Sequence, residues 1–92
     1  MIVRILGEGQ LTLQPAALDE LNKLDDELMA AVRDGDEPKF RAAMDTLLDR
    51  VRELGEPLAV DEIKPSDFIL PSADSSLDEV RDLLSSDGLI PG

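Results

Sequence analysis

Two stretches of the chain carry apolar residues at alternating spacings of four and three, with a short turn between them. The apolar positions of the first stretch are Ala17, Leu21, Leu24, Leu28 and Ala31. Those of the second are Phe40, Met44, Leu47, Val51 and Leu54. This period is typical of α-helices that each bury one face. The short connection favours an antiparallel helical hairpin within one chain. A coiled coil with another chain is the alternative, because the spacing does not show which helix packs against this apolar stripe, here called the seam of each helix.

The ends of both predicted helices are marked by residues with known capping roles. Pro15 precedes the first helix and is tolerated in a first helical turn. Gly35 can take the left-handed conformation that ends a helix, and Asp36 can cap the next one, which has Pro38 in its first turn. Gly55 closes the second helix. The sequence therefore places a tight turn between two helices of similar length.

Short runs of β-branched and alternating residues predict a small sheet. Residues 1–6 and 10–14 flank the loop Gly7-Glu8-Gly9, which is the pattern of a β-hairpin. Leu11 and Leu13 share one face of the second strand, so we expect only one face of the hairpin to pack against a core. Residues 67–70 lie between two prolines, which predicts a short extended segment or edge strand that joins the hairpin.

A third helix is predicted near the end of the chain. Ser76 and Glu79 have the spacing of a capping box and lead into an apolar pattern, so we expect roughly ten helical residues that end at Gly88. The predicted fold class is α+β: an N-terminal β-hairpin packed on an antiparallel helical hairpin, with a short extended segment and a short C-terminal helix. Ninety-two residues have room for one core, so residues 1–92 are expected to form a single domain.

The composition excludes several kinds of chemistry. The chain has no His and no Cys, which removes imidazole bases, thiol nucleophiles, disulfides and the usual zinc sites. Its 21 acidic against 9 basic residues give a net charge of −12. That charge disfavours direct binding to nucleic acid, and it allows contact with an anionic membrane only through a partner. Without a secretory signal or a spanning segment, we expect a cytoplasmic location. We expect no catalytic residues, cofactor or metal ligands.

The acidic clusters have simple structural interpretations. Asp25, Asp26 and Glu27 are consecutive on a helix and point in different directions, which predicts a solvated face. The segment from Asp34 to Glu37 resembles a calcium loop only superficially, because the turn glycine and the final glutamate of such a loop are missing. Helix capping explains that segment better.

Arginines are the main basic residues of the second helix. Arg41, Arg50 and Arg52 alternate there with three acids, which are Asp45, Asp49 and Glu53. This pattern predicts ion pairs on the helix surface, each worth a few tenths of a kcal/mol.

Two features point to contact with another macromolecule. Leu89 and Ile90 are apolar residues in a terminal segment, which either docks on the core or contacts a partner. Val3 and Ile5 lie in a hairpin strand whose edge could accept another strand or a second copy of the chain. These four residues are the candidate protein-binding positions.

The chain also resembles a known family, on the strength of four strings. They are MIVRILGEGQ at residues 1–10, LDRVRELG at 48–55, PSDFILP at 65–71 and GLIPG at 88–92. In order and extent these strings resemble the PspA-associated domain family (PspAA) of actinobacteria and archaea, over the whole chain. The resemblance implies a stand-alone cytoplasmic protein that acts with PspA, the coiled-coil phage-shock protein of membrane-stress responses. It supplies no catalytic residue.

The expected function is therefore a non-enzymatic adaptor or regulator that acts with a PspA-type coiled-coil protein in the envelope stress response. Such a protein could also form a homodimer, either at the edge of its small sheet or with the helical seams closed between two chains. Two other functions remain open: a carboxylate-based module or enzyme that depends on a divalent cation, and an acidic mimic of nucleic acid. Mimicry would require carboxylates arrayed along one face, whereas the sequence spreads them over all its elements.

Overall fold

The computed structural model describes residues 1–58 and 65–83. Two long helices, α1 (Leu18–Asp34) and α2 (Glu37–Leu54), follow each other with a two-residue connection and pack together. A 3₁₀ turn at Pro15–Ala17 leads into α1. A shorter helix, α3, covers Leu77–Leu83. The predicted helical hairpin is confirmed, and its seams close within one chain.

The connection between α1 and α2 has the predicted capping geometry. Gly35 adopts a left-handed conformation with a φ of 68°, and its N–H bonds back to the carbonyl of Val32 at 3.2 Å. The side chain of Asp36 accepts a hydrogen bond from the backbone N–H of Lys39 at 3.1 Å. Because both ends are satisfied locally, the chain reverses direction within two residues.

Within residues 1–58 and 65–83, four strands form one mixed sheet, in the order β3-β2-β1-β4. Strands β1 (Ile2–Ile5) and β2 (Gly9–Thr12) pair antiparallel, as the hairpin prediction requires. Strand β4 (Phe68–Leu70) pairs parallel to β1, which confirms that this segment joins the hairpin. The two-residue strand β3 (Glu56–Pro57) pairs with β2 and was not predicted. Strand β1 therefore lies inside the sheet, between β2 and β4.

The core lies between one face of this sheet and the helical hairpin. The sheet contributes side chains that alternate along its strands, such as Val3, Ile5 and Leu70, each at most 1% exposed. The helices contribute their predicted seams, which are buried or packed against the core at every position. The apolar periodicity thus identified the buried face of both helices correctly.

The segment before α3 is held against the turn end of the helical hairpin. The guanidinium of Arg41 donates to the carbonyl oxygens of Ala73 and Ser75 at 2.6 and 2.8 Å. Ser76 caps α3, because its hydroxyl accepts from the backbone N–H of Glu79 at 3.1 Å. The predicted end of this helix at Gly88 lies outside the described residues. Among the helices of residues 1–58 and 65–83, none has the length and apolar character that a bilayer crossing requires.

Candidate interaction surface

A surface groove with a volume of about 400 Å³ lies between α1 and α2. Ala30 and Glu27 of α1 form one side, and Ala42, Ala43 and Thr46 of α2 form most of the other. Ala42 and Thr46 are exposed, and both lie on the side of α2 opposite to its buried seam. The groove therefore opens away from the sheet, on the outer surface of the helical hairpin.

The floor of this groove is made of small side chains. Three of the eight alanines in the chain line it, at positions 30, 42 and 43. The hydroxyl of Thr46 donates to the carbonyl oxygen of Ala42 at 2.9 Å, so this polar group is already satisfied within α2. The floor thus presents mainly methyl groups, and the small side chains permit close approach of another backbone.

The groove lining has one acidic and one basic residue, while acids outnumber bases over the two helices as a whole. Residues 18–54, which contain both helices, include eleven Asp and Glu against six Lys and Arg. Glu27 of α1 and Lys39 of α2 line the groove itself, while Asp26 and Asp49 are exposed on the outer surfaces. The helical surface as a whole therefore carries negative charge, with one basic side chain at the groove.

An ion pair joins the two helices beside the groove. Arg50 of α2 reaches the carboxylate of Glu20 in α1 through Nε at 2.9 Å and Nη2 at 2.7 Å. It also binds Glu53 within its own helix at 2.6 Å. The hydrogen bond with Glu20 is the main reason that the pKa of Arg50 is raised. This pair adds a direct link between helices that already share a core.

A second arginine connects α2 to the β-hairpin. Arg52 donates two hydrogen bonds to Glu8, at 2.8 and 2.6 Å, and one to Asp49 at 2.9 Å. Hydrogen bonding to Arg52 lowers the pKa of Glu8 below its usual value, although partial burial opposes the shift. The ion pairs predicted within α2 are thus confirmed for Arg50 and Arg52. Arg41 instead binds the carbonyl groups before α3.

The acidic run in α1 is only partly solvated, which corrects the sequence interpretation. Asp26 and Glu27 are exposed, but Asp25 is only 2% exposed and has an interaction partner. Its position is the reason: residue 25 is four after Leu21 and three before Leu28, so it falls within the buried face. The same period that identified the core could have identified this carboxylate as buried.

The carboxylates of the described ranges do not converge on a cation site. Within residues 1–58 and 65–83, no group of three His, Cys, Asp or Glu side chains is arranged to hold a metal ion. The side chain of Asp36, which a calcium-loop interpretation would use as a ligand, caps α2 instead. The structure described here thus gives no positive support to the cation-dependent alternative.

The four candidate binding residues from the sequence have different locations. Val3 and Ile5 are 0% and 1% exposed, and they belong to an inner strand whose two neighbours are β2 and β4. Their side chains fill the core, and the strand is not a sheet edge. Leu89 and Ile90 lie outside the described residues. The structure therefore places Val3 and Ile5 in the core and not on a contact surface.

Two exposed apolar residues near the sheet were missed by the sequence reasoning. Leu6 is 42% exposed and Ile69 is 52% exposed. Ile69 pairs with Arg4 in the register of β1 and β4, on the sheet face opposite to the helices. The alternation of β4, with Ile69 between two buried residues, was the pattern that could have revealed it.

The outer strands of the sheet carry prolines at or beside their ends. Strand β3 contains Pro57, and β4 lies between Pro65 and Pro71. Proline lacks the N–H that a pairing strand would need, so Pro57 within β3 and Pro71 directly after β4 each interrupt strand addition at these edges. This leaves the helical groove as the better candidate surface.

A comparison with family models found one described as PspA-Associated protein (PspAA), which matches residues 1–92. No curated protein and no solved structure matches the chain.

Proposed function

The chain belongs to the PspA-Associated protein family, and we propose that it binds a PspA-type coiled-coil protein as a non-enzymatic cytoplasmic adaptor or regulator of the envelope stress response. The observation that carries this proposal is the match of the family model to the entire length of the chain. The description of the family names an association with PspA and no reaction. We therefore place the function of this chain in its contact with that partner.

The charge of the chain supports a particular kind of contact. A net charge of −12 attracts basic segments over about a Debye length, which is ~8 Å at physiological salt. Such attraction raises association rates and selects against acidic partners. An acidic chain is also repelled by an anionic membrane surface. A basic segment of a membrane-associated partner would bring the chain there indirectly.

Titration of the purified chain into PspA from the same organism, followed by calorimetry, tests the proposal directly. We expect a saturable complex whose affinity falls as sodium chloride is raised from 50 to 500 mM, because part of the attraction is between charges. Light scattering should show a mass that contains both proteins. The proposal fails if both methods find the two proteins separate at micromolar concentration and low salt.

The adaptor role needs a second measurement, since binding alone does not show regulation. PspA should be assayed for membrane binding on vesicles that contain anionic lipid, with and without the chain. An adaptor or regulator should change the fraction of PspA that sediments with the vesicles. An unchanged fraction at saturating chain would contradict a regulatory role at the membrane while leaving the complex itself intact.

A further inference from the structure

We propose that the groove between α1 and α2 receives one amphipathic helix of the partner, with small or apolar residues facing the groove and Lys or Arg along its flanks. This inference rests on the proposed function, and it adds the binding surface and the chemistry of the bound segment. The groove runs between two helices, so a third helix that enters it completes a three-helix arrangement.

The size of the floor residues favours a helix over a flexible peptide. Helix axes approach to 8–10 Å depending on the side chains at the contact, and alanine permits the shorter distance. Ala30, Ala42 and Ala43 come from both helices and line the groove together. A partner helix can therefore contact α1 and α2 at the same time.

Charge identifies the partner helix as basic and argues against a second copy of this chain. Acids outnumber bases over the two helices and each copy of the chain has a net charge of −12, so two copies repel each other as a whole. A helix with Lys or Arg on its flanks instead meets the exposed carboxylate of Glu27 at the groove. An acidic side chain in the partner could pair with Lys39, which fixes one orientation along the groove.

The groove is formed before any partner binds. Its two walls are joined beneath by the shared core, and Arg50 joins them to each other through Glu20 at 2.7 Å. By helix geometry this pair lies about one turn from Thr46 along α2 and about two turns from Glu27 along α1. Binding therefore does not have to assemble the helical hairpin, which reduces the entropy cost of association.

Two substitutions and two matched controls test the groove in the same titration with PspA. Ala42→Gln fills the groove without adding charge, and Ala73→Gln makes the same change at an exposed turn outside the groove. Glu27→Gln removes one rim charge, and Asp74→Asn removes one charge from that turn. We expect Kd to rise at least tenfold for Ala42→Gln and two- to fivefold for Glu27→Gln at low salt. The two controls should stay within twofold of the unmodified chain.

Helical content and thermal unfolding of each variant show whether the fold is kept. Ala42 and Glu27 are exposed and glutamine is a good helix former, so we expect unchanged spectra. If Ala42→Gln fails to fold, the nearly isosteric Glu27→Gln, compared with its control Asp74→Asn, tests whether the groove binds PspA.

The outcomes separate this inference from the function on which it rests. If PspA binds both groove variants as tightly as the unmodified chain, the groove is not the binding surface, and the proposed function still stands. Absence of any complex with PspA overturns both. A mass of two copies for the chain alone, reduced to one by Ala42→Gln, would show that a second copy occupies the groove and would also overturn the inference.

Discussion

Replacing Gly55 with alanine should destabilise the protein because the position has no room for a side chain. A Cβ added there would lie 2.8 Å from the carbonyl oxygen of Val51 and 3.0 Å from the Cβ of Leu11. Neither atom is the end of a flexible chain, so the C-terminus of α2 or strand β2 must shift. The backbone of Gly55 itself is ordinary, with a φ of −88°, so the constraint is space and not conformation.

The expected loss follows from these contacts. Overpacking a rigid site costs typically 1–3 kcal/mol. The shift also strains the hydrogen bond from Gly55 N–H to the Val51 carbonyl, now 2.8 Å long, and such a bond contributes about 1 kcal/mol. Alanine also lowers the conformational entropy of the unfolded chain, which stabilises the folded state by about 0.4–1 kcal/mol. We therefore expect a net loss of about 2 kcal/mol, which lowers Tm by roughly 8–16 °C in a chain of this size.

Chemical denaturation monitored by circular dichroism measures this loss, and Gly35→Ala is the matched control. Gly35 has open space around a Cβ but a φ of 68°, so alanine there suffers conformational strain of about 1 kcal/mol without a collision. Gly55→Ala should be the more damaging of the two. A Gly55→Ala variant as stable as the unmodified chain would refute the spatial argument.

Three further changes address the caps and the long-range contacts. Asp36→Ala should lower the free energy of unfolding by about 1 kcal/mol, because it removes the N-cap of α2; urea titration measures this, and no change would contradict the cap assignment. Arg41→Met should release the segment before α3, seen as faster amide hydrogen exchange in α3 with little change in α1. Glu8→Gln should cost a few tenths of a kcal/mol at pH 7, since its pair with Arg52 is exposed. The pKa of Glu8 is lower in the folded chain, so this contribution is present above the unfolded value of about 4.5 and is lost as pH falls through the folded value. Unfolding of both proteins at pH 7 and at progressively lower pH should show the difference shrink; a difference that stays constant after Glu8 is protonated in the folded chain would exclude the ion pair as its cause.

Elements whose determinants are close in sequence were predicted well. The seams of α1 and α2 follow from a period of 3.6 residues, and Gly35 and Asp36 act within one turn of their own positions. Ser76 caps α3 for the same reason. In each case the interacting residues are three or four positions apart, so the spacing in the sequence is enough to predict which groups meet.

Some contacts between distant residues are not evident from the sequence. Arg52 was expected to pair within α2, and it also binds Glu8, which is 44 residues away. Likewise Val3 and Ile5 were placed at an edge, whereas the later strand β4 encloses β1.

The candidate surface could likewise be predicted only in part. The alanines at positions 30, 42 and 43 are visible in the sequence, but their common groove exists only because α1 and α2 pack side by side. The sequence also established the charge of the chain and its resemblance to a family, neither of which needs a fold.

The helices, their caps, the β-hairpin and the acidic character can all be predicted from the amino-acid sequence, because each depends on residues near one another or on composition alone. The order of the strands, the long-range partners of the arginines and the location of the groove cannot. These features depend on which surfaces meet across the core, and an apolar pattern shows that a face is buried without showing what buries it.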